Sequence, residues 1–143
     1  MDYRSAFAIS AVGMGLEKLR LDVTAQNLAN MNVSAPSNGK LYKPLRLQVS
    51  TGVSSFSGEF EQASSLAEKM LKSVKLEEID VSPRMVYEPG HPDANESGYV
   101  ALPGVNHLSE MVNLSTALRA YEANVVAMNA AKTMAIKALE LGN

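Results

Sequence analysis

Two histidines and a few clustered carboxylates are the residues whose types and spacing most nearly suggest chemistry. His91 stands in HPDANE, followed by Asp93 and Glu96. Imidazole and carboxylate together suit a divalent metal. A third well-spaced ligand is missing, and Pro92, Asp93 and Asn95 are turn formers, so a loop folding on its own side chains accounts for the pattern better. Glu77, Glu78 and Asp80 offer paired carboxylates for acid–base work, but their setting, VKLEEIDVS, reads as a solvated strand edge. There is no phosphate loop, nucleophile elbow or dinucleotide fingerprint. With no cysteine there is no thiol nucleophile, disulfide or cysteine-based metal site. These absences point away from an enzyme and away from any cofactor or metal.

The amides are the other polar feature. Asn27 and Asn30 stand in VTAQNLANMNV, and Asn124 and Asn129 in AYEANVVAMNAAK. Asparagine is a poor helix former, so exposed or fraying positions are the plain explanation. The alternative is that they hydrogen-bond across helix interfaces, where a slipped register leaves an amide unpaired. Such uncharged contacts would be insensitive to pH and salt.

Both amide-rich segments lie on stretches with helical periodicity. All six prolines fall between Pro36 and Pro103, and proline breaks helix interiors. Before them, Ile9, Val12, Leu16, Leu19 and Val23 recur at spacings of three and four, which predicts an N-terminal helix. Gly13 and Gly15 weaken it but allow another backbone to come close. After them, Met111, Leu114, Leu118, Tyr121, Val125, Met128, Lys132, Ala135 and Leu139 form a heptad-like seam. Asn106 or Ser109 is placed to cap that helix, and Gly142 lies where it would end.

The C-terminal segment is too apolar on its other faces for a helix with solvent on one side. Six of the thirty-five residues from His107 to Leu141 are charged, and alanines surround the seam. Thirty-five helical residues would span about 52 Å, against a diameter of about 37 Å for a compact domain of this length. Such a helix overhangs its own domain and needs partners.

The sequence therefore divides into three: residues 1–32 as an N-terminal helix, 33–104 as a β-containing middle, and 105–143 as a long C-terminal helix. Within the middle, 41–50, 74–82 and 97–103 carry strand-like patterns, and 61–72 a short helical one. The fold class expected is α+β: two long terminal helices pairing as a coiled-coil-like layer, with a small β-containing segment between them. A net charge of −2 disfavours nucleic acid as a partner. Phe7–Leu16 is too short to span a bilayer and runs into EKLRLD without a cleavage region, so neither a membrane span nor a cleaved signal is expected.

Two blocks carry a resemblance. VTAQNLANMN resembles the N-terminal signature of the axial proteins of the bacterial flagellum, the rod, hook and related subunits. VYEPGHPDANESGYVALPGVNHLSEMVNLSTALRAYEANVVAMNAAKTMAIKALELG is similar to the C-terminal third of the FlgC family of proximal rod proteins. Together they cover about half the chain; residues 50–72 carry neither. The resemblance implies a structural subunit of a periplasmic tube, the drive shaft that transmits torque and conducts exported subunits. It implies export by the flagellar type III apparatus without a cleaved signal. The partners it implies are other rod proteins, copies of itself, the adaptor to the MS ring, and the export gate.

Under that reading the assembly interface comprises Leu114, Leu118, Tyr121, Val125 and Met128, faced by Ile9, Val12, Leu16 and Leu19. Asn27, Asn30, Asn124 and Asn129 set its register. A soluble helical adaptor or export chaperone is the rival, and it requires terminal helices that are satisfied within one molecule.

Overall fold

A computed structural model describes residues 3–35, 39–49 and 74–140. Helix α1 runs from Tyr3 to Asn30 and helix α2 from His107 to Glu140. Between them lie strands β1 (Leu45–Val49), β2 (Val74–Glu78), β3 (Arg84–Tyr87) and β4 (Tyr99–Leu102). This is the α+β arrangement of two long paired helices and a small strand-bearing middle. The helical pattern at 61–72 lies outside the described residues.

The helices run antiparallel, pinned at two places. The side chain of Asn27 meets Glu110, and Gly13 lies against Asn124. Asn27 to Gly13 is a step of 14 residues, and Glu110 to Asn124 is also 14, so one register holds between them. Continued outward, it sets Tyr3 opposite Met134. Residues 135–140 of α2 thus extend past the described start of α1.

Local chemistry explains the element boundaries. Asn106 caps α2: its Oδ1 accepts the Ser109 N–H at 3.2 Å, and its carbonyl accepts the Glu110 N–H. Glu110 places a carboxylate in the first turn and Lys137 a cation in the last, both favourable to the helix dipole. Helix α1 tightens as it ends, with Met31 and Val33 N–H groups reaching the carbonyls of Leu28 and Asn30.

The strands form two separate antiparallel pairs, β1 with β2 and β3 with β4. In the first, Leu47 pairs Leu76 and Val49 pairs Val74. Pro44 stands before β1, where its missing N–H costs nothing, and its carbonyl still accepts the Ile79 N–H at 2.8 Å. The patterns at 41–50, 74–82 and 97–103 thus resolve into β1, β2 and β4. Strand β3 has no counterpart in the sequence reading. Its RMVY is short, but its residues favour strands and the turn formers of EPGHPD follow.

That turn is a knot of local hydrogen bonds. Asn95 Oδ1 accepts from Ser97 and Tyr99 N–H groups, and the Asp93 N–H donates to His91 Nδ1 at 3.1 Å. Asp93 also accepts from the Ser34 hydroxyl at 2.6 Å, tying the turn to the chain leaving α1. Gly98 has φ +79°, and a β-carbon there would meet the Tyr87 ring, itself packed edge-on against Tyr99. His91 and Asp93 are thus engaged in turn structure, and among the described residues no three potential metal ligands converge.

Candidate assembly interface

The helix pair is closed mostly by small and polar residues; among the described residues of the two helices, Val23 is the one large apolar side chain that is buried. On α2, Ala117 and Ala131 are buried, with Asn124 midway between them at the same seven-residue step. On α1, Ser10, Glu17 and Thr24 are buried, again seven apart, together with Val23 and Asn27. With mostly small side chains between them the backbones approach closely. A β-carbon on Gly13 would come within 2.7 Å of Asn124 Oδ1.

The nine-residue seam read from the sequence consequently splits in two. Leu114, Tyr121, Met128 and Ala135 are half-buried, beside the alanine seam. Met111, Leu118, Lys132 and Leu139 form the next row, and all four are exposed, Leu118 by 45% and Leu139 by 75%. Val125, between Leu118 and Lys132, is half-buried. On α1, Val12, Leu16 and Leu19 are half-buried, but Ile9 is 61% exposed. Leu118 and Ile9 therefore lie outside the intramolecular seam. They belong to apolar surface that stays exposed among the described residues, together with Val112, Val126, Met134 and Ile136.

The four asparagines have different fates. Asn27 is 2% exposed and fully engaged inside the chain. Its Oδ1 accepts from the Tyr42 hydroxyl at 2.8 Å and the Leu45 N–H at 2.9 Å, and its Nδ2 donates to the Leu45 carbonyl at 2.9 Å and to Glu110 Oε2 at 3.3 Å. It crosses a helix interface, but the one within this molecule. Asn30 and Asn124 donate back to their own helices, to the carbonyls of Gln26 and Ala120. Asn129 is exposed.

Beside the Asn27 cluster a cavity of about 300 Å³ opens between α1, β1 and the first half of α2, lined by Arg20, Thr24, Arg46, Asn113 and Ala117 among others. Burial, and secondarily the Glu110 carboxylate, pushes the Tyr42 phenol above its ordinary pKa. Lys43 is raised by its hydrogen bond to Asp80, 2.9 Å away at the surface.

The sequence reading, built on large apolar residues, missed Ala117 and Ala131 as the closing contacts; it read Gly13 and Gly15 as places of close approach, and the structure has one at Gly13 and none at Gly15. The available signal was the heptad step from Ala117 through Asn124 to Ala131, matched by Ser10, Glu17 and Thr24. Among the described residues no helix is long and apolar enough to cross a membrane.

Comparison with known proteins bears on what this surface is for. The C-terminal region of the flagellar basal-body rod FlgEFG proteins matches residues 96–141. The flagellar basal-body rod protein FlgC of Bacillus subtilis is 40% identical over 141 residues, covering 94% of each chain. That of Salmonella typhimurium is 34% identical over 136 residues, covering 95% of each. That of Aquifex aeolicus is 36% identical over 134 residues, covering 92% of this chain and 91% of its own.

Proposed function

The chain belongs to the FlgC family of flagellar basal-body rod proteins, and on that premise we propose that it builds the proximal rod through the apolar surface its two helices leave uncovered. It is a structural protein of the basal body and associates with other rod components. The adaptor or chaperone reading requires terminal helices satisfied within one molecule; the two helices do pair with each other, but Leu118 and Ile9 stay exposed.

The observation that carries the proposal is the open row Met111, Leu118 and Leu139 on α2, with Ile9 on α1. Apolar area removed from water is worth about 25 cal/mol per Å², so a row of this kind favours helices supplied by neighbours. The half-buried Leu114, Tyr121, Val125, Met128, Val12, Leu16 and Leu19 border it and would be sealed by the same packing. Asn30 and Asn129 stand where a neighbour's backbone can reach them. Asn27 and Asn124 act indirectly, by holding the pair that presents the surface.

In this reading the subunit lies in the periplasmic tube that transmits torque and conducts exported subunits. It arrives through the type III apparatus without a cleaved signal. Its neighbours are other rod proteins, further copies of itself, the adaptor to the MS ring and, during passage, the export gate. The middle segment sits outside a helical inner layer and distinguishes one neighbour from another.

The test is Leu118→Asp, in a strain lacking its own copy of the gene. Export is expected to continue while incorporation into purified basal bodies and swimming are lost. Normal motility in that strain overturns the assignment of this surface.

A further inference from the structure

The β3–β4 pair closes one of its edges and leaves the other open. The Glu88 N–H donates to the Gly98 carbonyl, which fixes the alternation of the ladder. Val86 with Val100, and Arg84 with Leu102, then exchange hydrogen bonds, whereas Met85 and Tyr87 turn their N–H and C=O groups away from β4. The same alternation turns the groups of Tyr99 outward, and there Asn95 takes both. Its Oδ1 accepts the Tyr99 N–H, and its backbone N–H donates to the Tyr99 carbonyl, each at 2.9 Å. Asn27 closes Leu45 of β1, and β2 carries Lys75, Glu77 and Glu78 along an exposed strand. Among the described residues nothing fills the outward groups of Met85 and Tyr87.

Apolar strand edges recruit further strands unless charge, proline or a bulge shields them. The outer face of β3 has no such shield. Met85 and Tyr87 are 52% and 64% exposed, beside Tyr99, whose ring packs edge-on against Tyr87 with centroids 5.2 Å apart. Gly98 leaves the Tyr87 ring its room, since a β-carbon there would meet it. Arg84 is the one charge on the strand. Its guanidinium donates to Asn32 Oδ1 at 3.2 Å and meets no carboxylate among the described residues. A helix cannot fill this edge, because its backbone groups are spent within itself. Outward groups recurring about every 7 Å along a strand are matched by another extended chain.

We propose that β3 is a strand-addition site, where an extended segment of an adjacent rod subunit pairs with Met85 and Tyr87 in the assembled rod. This rests on the rod reading above and adds a contact outside the helices. The partner segment is apolar where it lies beside Met85 and Tyr87, and it carries a carboxylate opposite Arg84. Because Asn95 closes the β4 edge at Tyr99, the hairpin takes its new strand on the β3 side.

Proline separates the edge from the face. The hairpin does not use the Met85 N–H, so Met85→Pro removes an outward donor and keeps the ladder. The free full chain with Met85→Pro should hold its thermal midpoint within about 4 °C. In cells lacking the native gene its incorporation into purified basal bodies should fall by about tenfold or more. Met85→Ala, which keeps the N–H, should lose far less. Incorporation of Met85→Pro at the native level overturns the proposal. An equal loss with Met85→Ala overturns it too, because the side chain and not the backbone is then the contact. If Met85→Pro does not fold, a photo-crosslinking benzoylphenylalanine in place of Tyr87 decides. In basal bodies it should join an extended segment of another axial subunit; capture of helical residues alone, or of nothing, overturns strand addition. Failure of the rod reading shows separately, as normal swimming with Leu118→Asp.

Discussion

Asn27 holds both backbone groups of Leu45: its Oδ1 accepts the Leu45 N–H and its Nδ2 donates to the Leu45 carbonyl, each at 2.9 Å. A primary amide carries an oxygen acceptor and an N–H donor that face the same way, so the one side chain of Asn27 satisfies both backbone groups of the first residue of β1. With Tyr42 and Glu110 completing its contacts, one residue near the end of α1 orients β1 and the start of α2 together.

Replacing Asn27 by Ala should therefore cost about 2–3 kcal/mol, because the half-buried Leu45 groups lose their partner. Asn27→Asp should also destabilise, since it cannot donate to the Leu45 carbonyl and it sets a second carboxylate beside Glu110. Urea unfolding of the isolated chain measures both. A change below about 0.5 kcal/mol would mean that water replaces the amide without loss.

Gly13 offers a test of the helix register. Glycine to alanine inside a helix ordinarily gains about 1 kcal/mol. Here the new methyl meets the Asn124 side chain, whose amide is tied to the Ala120 carbonyl. Gly13→Ala should destabilise the native chain but stabilise one that already carries Asn124→Ala. The double-mutant cycle reads that reversal directly; additive effects would separate the two residues in solution.

The two rows on α2 should respond oppositely. Ala117→Leu forces a large side chain between close backbones and should cost about 1–3 kcal/mol in the isolated chain. Leu118→Asp, one residue further and 45% exposed, should leave that stability within about 0.5 kcal/mol. Thermal unfolding of the two variants side by side distinguishes the closing row from the open one.

Alkaline pH should loosen the Asn27 cluster. The Tyr42 phenol has a raised pKa, so near pH 10 the native state keeps a proton that the unfolded chain releases. Stability is then complete below about pH 10 and falls as pH rises through the native value. Lys43, raised by Asp80, adds to the fall in the same direction, weakly because it is exposed. Tyr42→Phe should cost about 1 kcal/mol at neutral pH through the lost hydrogen bond and flatten the alkaline decline. A decline of unchanged slope would place its origin elsewhere.

Much of this protein is decided locally and is legible in its order of residues. Proline restricted to the middle, heptad spacing at both ends and an asparagine cap set the two long helices, because each acts within a turn or two of chain. The strands around Leu47, Leu76 and Val100 follow from side-chain type and adjacent turn formers in the same way. Family membership was legible too, in the amide-rich end of α1 and the block running from the turn after β3 through α2.

Which face of each helix closes on the other was not legible. Large apolar residues at heptad spacing suggested the row of Leu118, and tertiary packing chose the row of Ala117 and Ala131 instead. The reason is distance: an antiparallel pair gains most where small residues let backbones approach, and whether Gly13 meets Asn124 depends on a register set far away, at Asn27 and Glu110. The same holds for Asn27, whose partners lie 15, 18 and 83 residues along the chain. Periodicity marks a residue as belonging to a face. Only the folded chain decides what that face meets, and which apolar row is left for another molecule.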